Sequence, residues 1–168
     1  MRLSGLEKHL YGDDWDAAIQ AAEDIARENS IEARSIIFRA IKSCNVHVRN
    51  AAALAVHEEK IQEAVPYLIE SIMNKDNENQ RGTMVYALES LDCRELFDFL
   101  FRLALEANYE CRSIACDILW DQGFMVSDQD IDDAEAFLNQ WEETQDCRDD
   151  DEMLFKHLRQ VISELRNG

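Results

Sequence analysis

Apolar residues recur at spacings of three and four along most of the chain, which is typical of helices with one buried face. Three segments show this pattern most clearly, and each aligns on an arginine. They are VHVRNAAALAV around Arg49, ENQRGTMVYAL around Arg81 and YECRSIACDIL around Arg112. The arginines are 32 and 31 residues apart, and small or apolar residues follow each at the third, fourth and seventh positions. The pattern predicts one buried helical face that is repeated three times.

The residues of this repeated face are small or apolar in all three segments. They are Ala52, Ala53 and Val56, then Met84, Val85 and Leu88, then Ala115, Cys116 and Leu119. One period earlier, DDWDAAIQAAEDIA has Ala21, Ala22 and Ile25 at the same positions, with Ala18 in place of the arginine. The period therefore extends towards the N-terminus, where residues 3–11 suit a short leading helix.

A second and more hydrophobic segment precedes each arginine segment. These segments are IEARSIIFRAIKSC, IQEAVPYLIESIMNK and CRELFDFLFRLALEA, and the last is apolar nearly all round except for Asp98 and Arg102. A helix of that kind must be packed between neighbours. Helix pairs of about 31 residues in succession predict a short right-handed α-solenoid.

The C-terminal part departs from the repeat. SDQDIDDAEAFLNQW begins with Ser127, a residue type that favours the N-cap position, and its apolar residues Ile131, Phe137, Leu138 and Trp141 predict a helix that buries them. After a predicted break over residues 145–151, EMLFKHLRQVISELR predicts a second amphipathic helix. Solenoids need terminal helices that close the core, so this part is interpreted as a cap, with an exposed link from Asp146 to Glu152.

Length and turn residues support this architecture. The chain has 168 residues, with only five glycines and one proline, and strand-rich folds need more turn residues than that. We expect an all-α fold of about nine or ten helices in a single domain over residues 1–168. The repeats would cover about residues 13–126, and the capping helices about residues 127–168.

The net charge of −18 narrows the choice of partners. A surface this acidic repels nucleic-acid phosphates and anionic membranes, so we expect neither as a direct partner. It favours a basic protein, which electrostatic steering would bring in quickly. Half of the charge belongs to residues 127–168, with 13 acidic and 4 basic residues. The alternative is that the charge only keeps the protein soluble.

Cysteine usage and the N-terminus predict a reducing compartment. The five cysteines include no CxxC pair, and MRLSGLEKHLYGDDW contains no apolar signal stretch. No segment approaches the length of a transmembrane helix. A cytoplasmic protein is the simplest interpretation.

A search for catalytic chemistry finds no motif. The four histidines lack metal-ligand spacing, and the chain has no nucleophile elbow and no glycine-rich phosphate loop. We therefore expect no enzymatic activity, no metal and no cofactor. A cysteine nucleophile beside a histidine that the fold brings to it stays open.

The segment AVPYLIESIMNKDNENQRGTMVYAL resembles a HEAT repeat, especially the short variety named after bilin lyases. The matching residues are Pro66, Leu68, Ile69, Asp76 and Arg81, and NVHVRNAAALAV shows a similar pattern. The resemblance covers roughly residues 13–121. It implies a HEAT-like solenoid, a fold that serves chiefly as a binding scaffold.

The resemblance also implies that the turn acid and the helix-opening arginine form a polar ladder between layers. Only Asp76 supplies such an acid, whereas Asn45 and Asn108 occupy the other two turns. The ladder is then weaker in this chain, which leaves open that Arg49 or Arg112 faces a ligand.

In a HEAT solenoid the second helices line the concave surface, which suggests a partner-binding stripe of aromatic and acidic residues. Such residues are good anchors for a basic protein surface. The predicted partner-binding residues are Tyr86, Glu89, Asp117, Trp120 and Asp121 on the second helices, with Asp128, Asp130, Asp132 and Asp133 in the cap. The alternative is that Tyr86 and Trp120 pack against the neighbouring layer or the cap.

Charge, fold and the lack of motifs favour a protein-binding module over an enzyme. One hypothesis is a bacterial immunity protein, an antitoxin that inhibits a basic nuclease-type toxin by binding it; a DNA mimic with another basic target is a variant. A second hypothesis is a general HEAT scaffold or adaptor for an intracellular protein or peptide. The third is a HEAT-like lyase or alkylpurine DNA glycosylase, although the latter needs a basic track that this chain lacks.

Overall fold

The computed structural model describes residues 2–144 and 149–167, with the side chains of residues 149–151 left aside. Over these residues the regular structure is all helical, with ten α-helices, two short 3-10 turns and no strand. The α-helices are α1 (Arg2–Leu10), α2 (Trp15–Arg27), α3 (Ile31–Ile41), α4 (Val46–Glu59), α5 (Val65–Met73), α6 (Gly82–Leu88), α7 (Phe97–Glu106), α8 (Tyr109–Asp121), α9 (Asp128–Thr144) and α10 (Asp149–Asn167). The 3-10 turns are Gln62–Ala64 and Lys75–Asn77. The predicted all-α class is confirmed.

Short polar side chains start four of these helices. Asp14, Ser30, Asn45 and Asn108 each accept a hydrogen bond from a backbone N–H in the first turn that follows, at distances of 2.9 to 3.1 Å. An N-cap of this kind satisfies one of the unpaired donors at a helix start. Asn45 and Asn108, which stand where the repeat family has a turn acid, therefore fix the starts of α4 and α8.

The chain divides into two compact units, Met1–Asp92 and Cys93–Gly168. In the first unit α1 packs on α2, α3 on α4 and α5 on α6, while α4 also lies against both α2 and α6. This order of contacts follows the helix pairs that the period predicts. It stays a prediction that residues 1–168 form a single domain, in which the repeats end near residue 126 and the capping helices follow.

The repeated apolar face forms the core of the first unit. Its members are at most 3% exposed: Ala21, Ala22, Ile25, Ala52, Ala53, Val56, Met84, Val85 and Leu88. In α4 the residues Ala51 and Ala55 are buried as well. Because alanine occupies little volume, helices α2, α3 and α6 can all approach α4 closely.

Arg49 is buried in this core at 1% exposure. Its Nη1 donates to the carbonyl of Ser43, just after α3, at 2.8 Å, and its Nη2 to Oε1 of Gln80, just before α6, at 3.4 Å. Burial lowers the pKa of Arg49. Arg81 similarly donates to the Ile72 carbonyl at 3.4 Å. These arginines connect helix ends, and the acceptors in these contacts are carbonyl and amide oxygens.

The second unit contains α7 to α10. Helices α7 and α8 pack together, α9 contacts α10 and α7, and α10 contacts α8. Residues buried at this centre are Leu100, Phe101, Ala115, Leu119, Ile131, Leu138, Leu158 and Ile162. Of the repeated face in α8, Cys116 is only half-buried.

Ser127 is the N-cap of α9, as the sequence suggests. Its Oγ accepts a hydrogen bond from the Asp130 N–H at 3.2 Å, and Asp130 Oδ2 accepts from the Ser127 N–H at 2.8 Å. This reciprocal pair is a capping box. The prediction that α9 buries its whole apolar face is wrong for Phe137 and Trp141, which are half-buried.

Helix α10 begins at Asp149, so the predicted break over residues 145–151 is too long. Acidic residues favour a helix N-terminus, and residues 149–152 are all acidic. Residues 145–148, with Cys147 and the start of the predicted link, lie outside the described part. Among the described residues, no helix is long and apolar enough to cross a membrane.

Candidate partner-binding surface

An acidic groove of about 630 Å³ lies between α7 and α9 in the second unit. We define this acidic groove by Asp98 and Arg102 of α7 and by Asp130, Asp133, Phe137 and Gln140 of α9. The α9 residues are three or four positions apart, which places them on one side of the helix. Two of the predicted partner-binding residues, Asp130 and Asp133, thus line one groove.

Arg102 is bound to one of the groove's carboxylates. Its Nε donates to both Asp98 oxygens at 3.0 Å, and its guanidinium lies 4.5 Å from the centre of the Phe137 ring. The hydrogen bond to Asp98 raises the pKa of Arg102, and the charge of Asp133 raises it further. Arg102 offsets one negative charge, so the groove stays net acidic through Asp130 and Asp133.

Asp130 is held as an anion by the start of its own helix. It accepts from the Ser127 backbone N–H at 2.8 Å and from the Ser127 hydroxyl at 2.7 Å. These bonds, the backbone one above all, lower the pKa of Asp130. Asp133 accepts from Gln129 Nε2 at 2.8 Å. Both carboxylates are therefore oriented before any partner arrives.

The other two predicted cap acids lie differently. Asp132 accepts from Arg166 of α10 at 2.7 Å, and Arg166 also reaches Glu135 at 3.1 Å. Asp132 thus joins α9 to α10 and is not among the residues that line the acidic groove. Asp128 is the exposed first residue of α9.

Trp120 lies on α8 with the exposed acids Asp117 and Asp121 three and one residues away. Its ring centre is 5.0 Å from that of His157 on α10, at an angle of 52°. Trp120 therefore packs against a helix of the predicted cap, as the alternative interpretation proposed. It still keeps 45% of its surface exposed. An aromatic residue that is supported on one side and exposed on the other is suited to bind a partner.

Tyr86 and Glu89 belong to the first unit. The Tyr86 ring stacks on His57 of α4, with centroids 4.2 Å apart and an angle of 18°, and remains 37% exposed. Packing against the neighbouring layer is therefore observed for Tyr86 as well. Glu89 is exposed at the end of α6.

The sequence interpretation missed the contribution of α7 to the acidic groove. Asp98 and Arg102 interrupt an otherwise apolar helix at a spacing of four, and this was the available signal for an exposed stripe. Nothing in the sequence specified that α9 would lie along that stripe.

The described cysteines and acids do not form a reactive or metal-binding site. Burial raises the pKa of the Cys116 thiol to about 11, so this thiol is not a reactive thiolate at neutral pH. Cys93 and Cys111 are buried. Within residues 2–144 and 149–167, no three His, Cys, Asp or Glu side chains are grouped to hold a metal ion.

No protein-family model matches the chain, and no curated protein matches it. The HEAT-like resemblance therefore stays a prediction.

Proposed function

We propose that the protein is a non-enzymatic binding module that neutralises a basic, nuclease-type toxin by binding it, as an immunity protein does. The observation that carries the proposal is the acidic groove on a chain of net charge −18. Asp130 and Asp133 are held in place there by hydrogen bonds. A groove of about 630 Å³ can take basic side chains of a partner.

Charge explains why a nuclease is a suitable target. An enzyme that binds polyanionic nucleic acid presents a basic surface. An acidic inhibitor is attracted to that surface over long distances, and this attraction raises the association rate. The same charge keeps the inhibitor away from nucleic acid itself.

A HEAT-like α-solenoid is the architecture that we propose for this module. In its support, α1/α2, α3/α4 and α5/α6 form successive pairs in the first unit, and α4 lies beside both α2 and α6. Successive helix pairs of this kind present surfaces for binding proteins. Trp120, 45% exposed beside Asp117 and Asp121, would add an aromatic contact for the partner.

The test is capture of a partner by the immobilised full chain from a lysate of the cells that encode it. Asp133→Lys with Gln140→Lys reverses the acidic groove and leaves the Ser127–Asp130 capping box intact. Glu58→Lys with Asn79→Lys makes the same change of charge at exposed positions of the first unit and is the matched control.

We expect wild type and the control to capture a basic protein with nuclease activity, and the reversed groove to lose it. Added wild type should then inhibit cleavage of RNA or DNA by the captured protein. If the captured protein keeps its activity in the presence of the wild-type chain, the chain is a scaffold and not an inhibitor. Equal capture by the reversed groove would refute the acidic-groove model.

A further inference from the structure

A second groove, of about 700 Å³, lies in the first unit along α3 and the start of α5. We define this basic groove by Ile31, Arg34, Phe38, Arg39 and Lys42 of the α3 segment and by Tyr67 of α5. The charged residues of its lining are mainly basic, whereas the whole molecule is strongly acidic. Three of the chain's 17 basic residues line it, with one acid, Glu63, among the described lining residues.

Arg34 is one of the residues that line this groove, and one of its guanidinium donors is unsatisfied. Its Nη2 donates to Asn29 Oδ1 at 2.7 Å, whereas its Nη1 is buried and has no hydrogen-bond partner within the described part of the chain. A buried donor of this kind is costly unless an acceptor reaches it. The planar guanidinium is best matched by a carboxylate, which can accept two parallel hydrogen bonds.

Arg39 and Lys42 extend the positive charge along the same side of α3. Arg39 reaches Glu7 at 2.8 Å and Lys42 reaches Glu70 at 2.6 Å, with 60% and 44% of the two basic side chains exposed. Exposed ion pairs of this type contribute little stability. Both cations can therefore exchange these partners for a ligand carboxylate at small cost.

Apolar surface lies between the charges. The rings of Phe38 and Tyr67 stack with centroids 4.3 Å apart and an angle of 10°, and both residues are half-buried. Ile31, at one end of the basic groove, is 93% exposed. Flat aromatic surface beside a cation suits a ligand that carries both an apolar side chain and an acid.

The dimensions favour a peptide over a small molecule. From Ile31 to Lys42 the helical rise is about 16 Å, which equals the length of about five residues of extended chain. Small-molecule sites enclose most of their ligand, whereas Ile31 and Arg39 leave this groove open.

We propose that the basic groove binds a short acidic segment of another protein, in which carboxylates flank an apolar or aromatic side chain. Arg34 takes one carboxylate, Arg39 and Lys42 take a second, and the Phe38–Tyr67 stack takes the apolar side chain. This surface does not depend on the acidic groove, because it lies in the other unit.

The test is selection from a display library of randomised heptapeptides on the immobilised full chain. We expect the recovered peptides to include a group that carries two or more acids around an apolar or aromatic residue. Arg39→Glu, and separately Arg34→Met, should weaken such a peptide about tenfold, the size that one charge-assisted hydrogen bond contributes. Lys75→Glu is the control for Arg39→Glu, since Lys75 is an exposed base outside the groove.

Synthetic peptides measured by fluorescence anisotropy complete the test. A recovered peptide with glutamine in place of each glutamate, and asparagine in place of each aspartate, should bind at least about tenfold more weakly. A selection that recovers no acidic peptide, or acidic peptides that bind Arg39→Glu and Arg34→Met like wild type, would overturn the proposal. Displacement of the peptide by oligouridylate at equal concentration would assign the groove to nucleic acid instead.

Discussion

Arg102 and Phe137 meet across the acidic groove, with the guanidinium 4.5 Å from the centre of the ring. Because Arg102 also donates to both oxygens of Asp98, this cation is fixed against an aromatic face and a carboxylate. It cannot move to neutralise Asp130 and Asp133 without losing those contacts. The groove therefore keeps a negative excess that a basic partner can use.

Neutralising that excess should slow binding of a basic partner. For Asp130→Asn with Asp133→Asn we expect an association rate about three- to tenfold lower at low salt, and a flatter dependence on ionic strength. The dissociation rate should also rise, because Asp130 and Asp133 would contact basic side chains of the partner directly. Stopped-flow mixing at several salt concentrations measures both rates, and an unchanged salt slope would contradict the expectation.

Removing the exposed tryptophan should act mainly on the dissociation rate of a basic partner. Trp120→Ala is expected to raise the dissociation rate by about tenfold or more, the effect of losing an aromatic anchor. Tyr109→Ala is a suitable control because Tyr109 is an aromatic on the same helix with 83% of its surface exposed. Surface plasmon resonance measures the rates. If both variants dissociate like wild type, Trp120 serves only its contact with His157.

Arg49 should matter for stability and not for binding. Arg49→Ala removes a side chain at 1% exposure together with two hydrogen bonds, so we expect a loss of about 2–4 kcal/mol in the free energy of unfolding. Arg49→Met, which fills most of the space but cannot donate, should lose less. Urea unfolding followed by circular dichroism gives both values. A loss for Arg49→Ala no larger than that for exposed Arg39→Ala would contradict a structural role.

The capping box at the start of α9 should be visible as a pH dependence. The pKa of Asp130 is lowered below its ordinary 3.8, so its bonds to Ser127 contribute stability above pH 3.8. That contribution is lost as the pH falls through the lowered pKa. Ser127→Ala removes the hydroxyl and keeps the backbone N–H, so it should raise the pKa of Asp130 part of the way towards 3.8, which carboxyl-carbon NMR titration measures directly. An Asp130 that titrates at the same pH in both proteins would contradict the capping box.

Helix positions and the repeated core face were predictable. Burial of one helix face requires apolar residues at intervals of three and four, and this pattern can be recognised in the sequence. Ser127 could likewise be assigned as an N-cap, since the pattern that starts a helix is local. Those interactions form between residues that are close in the chain, or that recur with the period.

Contacts between distant segments were not predictable in the same way. The pair Asp132–Arg166 joins residues 34 positions apart, and spacing alone does not say which acids of α9 would meet α10 and which would meet α7. Phe137 illustrates the difference: its spacing matches a buried residue, yet it is half-buried beneath Arg102. Whether the predicted residues on α6 and α8 bind one partner stays a prediction.

The alanines of α4 have a consequence for how the first unit opens. Helix α4 is packed by α2, α3 and α6, and Ala51, Ala52, Ala53 and Ala55 are fully buried. Its backbone amides can exchange with solvent only when those neighbours separate. They should be the slowest amides of the unit in deuterium exchange, and their rate should report the opening of the unit as a whole.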